Sequence, residues 1–136
     1  MTTSIERTRP LTLLRRVLGA DAVVTAGNGV IYLVAAGPVE RLLGVPSGLL
    51  VGLGAFLVAY GIAVGYLATR QSPAPSAVQA VIVANSGWVV ASLAVLASGA
   101  LDLTTAGAVW IPAQAAVVAG FAALQAVGLR RLRGSG

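Results

Sequence analysis

Residues 42–69 read LLGVPSGLLVGLGAFLVAYGIAVGYLAT, and this stretch decides the fold. Apart from Tyr60 and Tyr66 it carries no acid and no base. A helix needs about 20 predominantly apolar residues to cross a hydrocarbon core of about 30 Å, and this run is longer. Backbone groups in lipid must be bonded internally, which leaves helices or closed barrels. Nothing here alternates with period two as a barrel strand would, so the run reads as a helix. Residues 71–101 and 103–129 are equally free of ionisable acids and bases, and Val17 to Ala36 is broken only by Asp21. The expectation is an all-α membrane protein, a bundle of four transmembrane helices over about 14–36, 48–69, 77–100 and 106–129. These form one domain over 1–133, and Gly134-Ser135-Gly136 reads as an appended tail.

Composition supports this. Of 136 residues 57% are hydrophobic and 10% charged, with a mean hydropathy of +0.91. Soluble domains carry about 25% charged residues, so too few are present to coat a water-facing surface. The pI near 11.2 comes from nine Arg against four acids. Those Arg gather at the chain ends with no basic face beside stacking aromatics, so nucleic acid is not an expected partner. There is no Cys and no His, which removes disulfides and most metal and haem ligation; no metal and no cofactor is expected. A cleaved signal peptide does not fit the start, since an apolar region of 7–15 residues is usual there and Val17–Ala36 is longer.

The connections fall where turn chemistry places them. Gly37-Pro38 is expected to stop the first span, and Pro46 to open the second where no helical N–H is needed. Between them Val39-Glu40-Arg41-Leu42-Leu43 is amphipathic and suited to lying flat at the interface. Residues 71–76, Gln-Ser-Pro-Ala-Pro-Ser, form a polar loop, and Ser98 to Thr105 a third turn containing Asp102. Pro112 falls in the first turn of the fourth span or kinks it.

Arginine placement sets the orientation. Arg7, Arg9, Arg15 and Arg16 precede the first span, Arg70 lies in the second loop, and Arg130, Arg131 and Arg133 follow the fourth. With four spans these share one side, and only Arg41 falls on the other. The positive-inside rule then predicts a multi-pass protein of a bacterial inner (plasma) membrane with both termini cytoplasmic. The terminal Arg clusters suit anionic head groups, at about 1 kcal/mol per basic residue, so membrane lipids are expected partners.

Polar residues within lipid are costly, so their placement is informative. Asp21, Thr25, Asn28 and Tyr32 are spaced to share one face of the first helix. Trp110, Gln114, Phe121 and Gln125 line the fourth; Asn85, Trp88 and Ser92 line the third. Asp21, Thr25, Asn28, Tyr32, Asn85, Trp88, Ser92, Trp110, Gln114 and Gln125 are therefore the candidate ligand-binding residues. The expected pocket lies between the first, third and fourth spans, walled by Trp88, Trp110, Tyr32 and Tyr60, with the second span outside it. The same polar groups could serve only to hold the helices together. Asp21 is expected about one turn inside the cytoplasmic face, with Arg70 or Arg130 as ion-pair partners. Asn28 and Asn85 are expected near mid-membrane, in contact or facing a shared space. On the second span, Gly44, Gly48 and Gly52, and Gly61 and Gly65, have the four-residue spacing that lets backbones approach, within the bundle or in a homo-oligomer.

Residues 22–29 and 80–87 are similar, as are Gly54-Ala55-Phe56 and Ala119-Gly120-Phe121, which suggests a 2+2 parallel repeat about an axis along the membrane normal. The segments Leu18-Gly19-Ala20-Asp21-Ala22, Leu43-Gly44-Val45-Pro46, Ala84-Asn85-Ser86-Gly87-Trp88 and the run from Gln114 to Gln125 resemble a group of small four-helix integral membrane proteins of high-GC actinobacteria. The resemblance covers Leu14 to Arg131 and implies the four-helix fold. That group has no assigned activity, so no residue role follows. Small multidrug transporters have a similar size and helix count, but with a membrane-embedded Glu in the first helix, where this chain has Asp21.

Catalytic groups are missing. There is no Lys or His to activate Ser86, no carboxylate pair for acid–base work and no acidic cluster for Mg²⁺. The expected function is a non-enzymatic membrane protein that binds a lipid or lipophilic small molecule, or assembles with other membrane chains. The alternative is a small secondary transporter or exporter using Asp21 as its coupling carboxylate.

Overall fold

A computed structural model describes residues 2–135, with side-chain environments from 8 to 134. Five helices follow in order: α1 Thr2–Val34, α2 Ala36–Leu43, α3 Ser47–Thr69, α4 Pro75–Ser98 and α5 Thr105–Ser135, with no strand among the described residues. Four of them are long and apolar enough to cross a membrane: Thr8–Val34, Ser47–Thr69, Pro75–Ser98 and Thr105–Gly134. The fold is an all-α, four-span membrane bundle.

The first span begins at Thr8 rather than 14 and most other ends shift by one or two residues, while two boundaries differ for a physical reason. The first span ends at Val34 rather than 36, because the break falls at Ala35 (φ −120°, ψ 33°). Gly37 and Pro38 then lie in the first turn of α2, where proline's missing N–H costs no helical bond. The fourth span does not end at 129; helix continues through the Arg cluster to Ser135, with Pro112 well inside it. Charge ends a hydrophobic run without ending a helix, since Arg is a good helix former.

The α2 corner is tied by side chains. Gly44 closes α2 in the left-handed conformation (φ 80°), with its N–H on the Glu40 carbonyl at 2.7 Å. Glu40 Oε1 accepts from the Ser47 N–H at 2.8 Å, satisfying one of the first donors of α3. Thr104 Oγ1 donates to the Leu42 carbonyl (2.6 Å) and accepts from the Gly107 N–H (3.1 Å), so one hydroxyl caps α5 and clasps it to α2.

Around the bundle the helices run α3, α1, α5, α4, each packed closely on the next. The tightest seam joins α1 to α3. A Cβ on Gly29 would come within 2.8 Å of the Gly54 carbonyl oxygen, one on Gly54 within 2.8 Å of the Gly29 oxygen, and one on Gly61 within 2.8 Å of Ala26 Cβ. Backbone touches backbone there, which only glycine allows. The expected Gly44, Gly48, Gly52 stripe is not this seam. Gly48 and Gly52 meet nothing within 4 Å, and Gly44 is a helix cap against the Asp102 segment. Four-residue spacing marks a face but not which face is packed.

The ring closes loosely. The backbones of α3 and α4 do not pack closely, and side chains bridge them instead. Phe56 stacks on Trp88 with centroids 6.4 Å apart and on Tyr60 at 5.8 Å. Leu14, Leu18, Val64, Val78, Leu129 and Leu132 form an apolar core at the Arg-rich end. Tyr32, Leu43, Val45, Leu50 and Leu57 form another at the α2 end. Outward, Val23, Val34, Ile62, Val83 and Val90 are exposed, as lipid-facing positions should be.

Candidate functional site

Polar side chains from all four spans meet between the two apolar cores. Asp21 and Gln125 are wholly buried and Asn85 is 3% exposed. Asp21 Oδ2 accepts from Asn85 Nδ2 (2.8 Å) and from Gln125 Nε2 (2.8 Å), and Oδ1 accepts from Thr25 Oγ1 (2.9 Å). The second Asn85 N–H reaches Gln125 Oε1 at 3.1 Å, which closes a ring of three side chains. From α3, Tyr60 donates to Asn85 Oδ1 at 3.0 Å and lies 3.3 Å from the Val81 carbonyl.

This network corrects three expectations. Asp21 is paired with neutral donors, not with Arg70 or Arg130. Arg70 instead donates to the Tyr66 hydroxyl at 3.3 Å and lies over its ring, and Arg130 is exposed. Asp21 is also deeper than one turn. Its partner Asn85 lies about ten residues from the Pro75 end of α4, or about 15 Å at 1.5 Å per residue, which is close to mid-membrane. Arg15 misled the depth reading; it donates from Nε to the Ala68 carbonyl at 3.1 Å, so a charge near the apolar interior is satisfied by a helix end. Finally, the second span is not outside the interior, because its Tyr60 belongs to the network. Placing a carboxylate at the centre of a spanning helix costs about 2.5–3.5 kcal/mol on insertion scales. Three donors at about 1 kcal/mol or more each are of the size needed to offset that.

The other candidates gather towards the α2 end, around Trp88. Trp88 Nε1 donates to Gln114 Oε1 (2.7 Å), whose Nε2 donates to the Ile111 carbonyl (2.8 Å). Trp110 Nε1 donates to the Tyr32 hydroxyl at 2.9 Å. Three cavities meet at Trp88. One of about 190 Å³ reaches Ser92 and Leu101 near the α2 end. A second, of about 220 Å³, is lined by Asn28, Tyr32, Trp110, Gln114 and Phe121. A third, of about 360 Å³, lies in the α3/α4 gap between Phe56, Tyr60, Asn85 and Trp88. Thr25 lines the second and third, so the network touches both.

The ten candidates thus divide into two groups. Asp21, Thr25, Asn85 and Gln125 are bonded together, and Tyr32, Trp88, Ser92, Trp110 and Gln114 surround the cavities with Asn28. Asn28 and Asn85 do not meet; Asn85 is held in the network, while the half-buried Asn28 faces the second cavity and makes no side-chain hydrogen bond. Tyr60 was foreseen only as a wall. Its separation of 39 residues from Asp21 left no spacing signal tying it to the carboxylate.

Known proteins supply no parallel: no family model matches this chain, and no curated protein or solved structure is detectably similar to it. Fold and interior define its class, a small four-span helical membrane protein with a carboxylate-centred polar network beside aromatic-walled cavities.

Proposed function

We propose that the chain is a non-enzymatic membrane protein that holds a lipid or lipophilic small molecule around Trp88. The meeting of three cavities at one indole carries this reading. Their walls are largely aromatic and aliphatic with a few placed polar groups, the usual make-up of small-molecule sites, and the largest lies in the gap between α3 and α4, where an apolar molecule can enter from the bilayer. The sequence offers no Lys, His or Cys for catalysis. Native mass spectrometry of the chain released from nanodiscs tests the reading. A retained adduct that Trp88→Ala loses supports it; the same spectrum from both proteins refutes it.

A second reading has one observation in its favour. Asp21 is fully buried near mid-membrane, and its hydrogen-bond partners are all neutral side chains, a setting used by coupling carboxylates in transporters. Growth under a panel of cationic drugs, with Asp21→Asn beside the parent, tests it: resistance that depends on Asp21 supports transport, and equal growth argues against it.

In the membrane we propose that the Arg-rich end, with both termini, faces the cytoplasm of a bacterial cell and contacts anionic lipid. The excess of Arg at that end supports this. Cysteine introduced at the exposed Ser72 and Asp102 and treated with an impermeant maleimide in intact cells reads it out. Labelling at Asp102 alone is expected, and labelling at Ser72 alone would invert the topology.

A further inference from the structure

Donor and acceptor accounting narrows the ligand. No charged side chain lines any of the three cavities around Trp88. Most of their polar groups are already engaged: both indole N–H groups, both ends of the Gln114 amide and the Thr25 hydroxyl have partners within the chain. The exceptions are few. Tyr32 accepts from Trp110, which leaves its own O–H without an acceptor. The Asn28 carboxamide is unpaired, and the Ser92 hydroxyl is unpaired on the far side of Trp88.

Asn28 and Tyr32 stand one turn apart on α1, a spacing that puts their Cβ atoms about 5–6 Å from each other. Both line the 220 Å³ cavity. Two donors, the tyrosine O–H and the asparagine N–H, are therefore offered to one small apolar space. A carbonyl oxygen has two lone pairs and can accept both. A carboxylate would bring a net charge with no cation to meet it, and an ammonium would find one amide oxygen and aromatic faces. Burying either without a partner is costly.

We propose that the ligand is an uncharged lipophile carrying a carbonyl oxygen, held by the Tyr32 O–H and the Asn28 carboxamide with its apolar body against Trp88. This rests on the reading that the cavities hold a lipophile. It also separates the ligand from Asp21, whose two oxygens are already engaged by Thr25, Asn85 and Gln125.

The chain has two tryptophans, Trp88 and Trp110, and both line the cavities, so contact quenching reports occupancy directly. The probes are four brominated dodecyl chains ending in a methyl ketone, a methyl group, an ammonium or a carboxylate, added to the full chain in nanodiscs. The ketone is expected to quench at about five- to tenfold lower concentration than the alkane, the worth of one net hydrogen bond. The two charged chains should do no better than the alkane. Tyr32→Phe and Asn28→Leu should each reduce the ketone's advantage over the alkane, measured as the ratio of the two in the same variant. A measurement that needs no variant is the ketone's infrared carbonyl stretch, expected at lower frequency when bound to the unsubstituted chain. Equal quenching by ketone and alkane, preference for the ammonium, or an unshifted carbonyl band overturns the proposal while the cavity reading stands. Quenching by none of the four removes the cavity reading itself.

Discussion

The two halves of the interior use the same residue types for opposite ends. Towards the Arg-rich end, Asp21, Thr25, Tyr60, Asn85 and Gln125 are joined by hydrogen bonds of 2.8–3.1 Å into a closed set drawn from every span. Towards α2, Asn28, Tyr32 and Ser92 sit beside cavities with hydrogen-bonding capacity left over. Among the described residues no deeply buried side-chain polar atom lacks a partner, and Asn28, Tyr32 and Ser92 keep their surplus where the cavities reach them. The lesson is that polarity inside a membrane bundle does not by itself mark a site. A saturated network fixes which helix faces meet, and an unsaturated one leaves something to recognise.

Removing the carboxylate should break this contrast most severely. Asp21→Ala leaves three donors without an acceptor, at about 1–3 kcal/mol each, so unfolding in mixed detergent micelles should show a loss above about 3 kcal/mol. A loss below 1 kcal/mol would mean that the network does not hold the bundle. Next comes the seam that brings α3 alongside α1. Gly54→Ala forces a methyl group against the Gly29 carbonyl and should cost about 1–3 kcal/mol by overpacking; an unchanged unfolding midpoint would show the seam to be slack. The smallest pair of effects sharpens the contrast. Tyr60→Phe should cost about 1 kcal/mol by leaving the Asn85 oxygen without its donor, whereas Asn28→Leu should cost nothing measurable, because Asn28 has no internal partner to lose. Equal losses in those two variants would erase the distinction between the halves.

Much of this was legible beforehand. Uncharged runs located the spans, since few soluble segments of such length lack ionisable groups, and helical spacing put Asp21, Thr25, Asn28 and Tyr32 on one inward face. What escaped the reading depends on distances between helices. The depth of Asp21 was misjudged because Arg15 and Arg16 resemble a membrane edge, while the structure satisfies Arg15 on the last turn of α3. Tyr60 sits on a span rich in glycine, where nothing near it in sequence announces a polar partner. The glycine seam was legible only in part. The Gly61 and Gly65 spacing marks one end of it, but Gly29 and Gly54 do not stand out from fifteen other glycines, and only the approach of two backbones distinguishes them.

The closed network also bears on biogenesis. Spans leave the ribosome in order, and α1 and α3 can complete their glycine seam before α4 and α5 exist. Until then Asp21 has only Thr25, from its own helix, to bond; its amide donors Asn85 and Gln125 arrive on the last two spans. The first hairpin alone therefore offers Asp21 one of its three donors, and the second hairpin supplies the other two. Because one donor comes from each of the late spans, a chain truncated before α5 would lack one of them, and a quality-control protease could recognise that defect from the membrane interior alone.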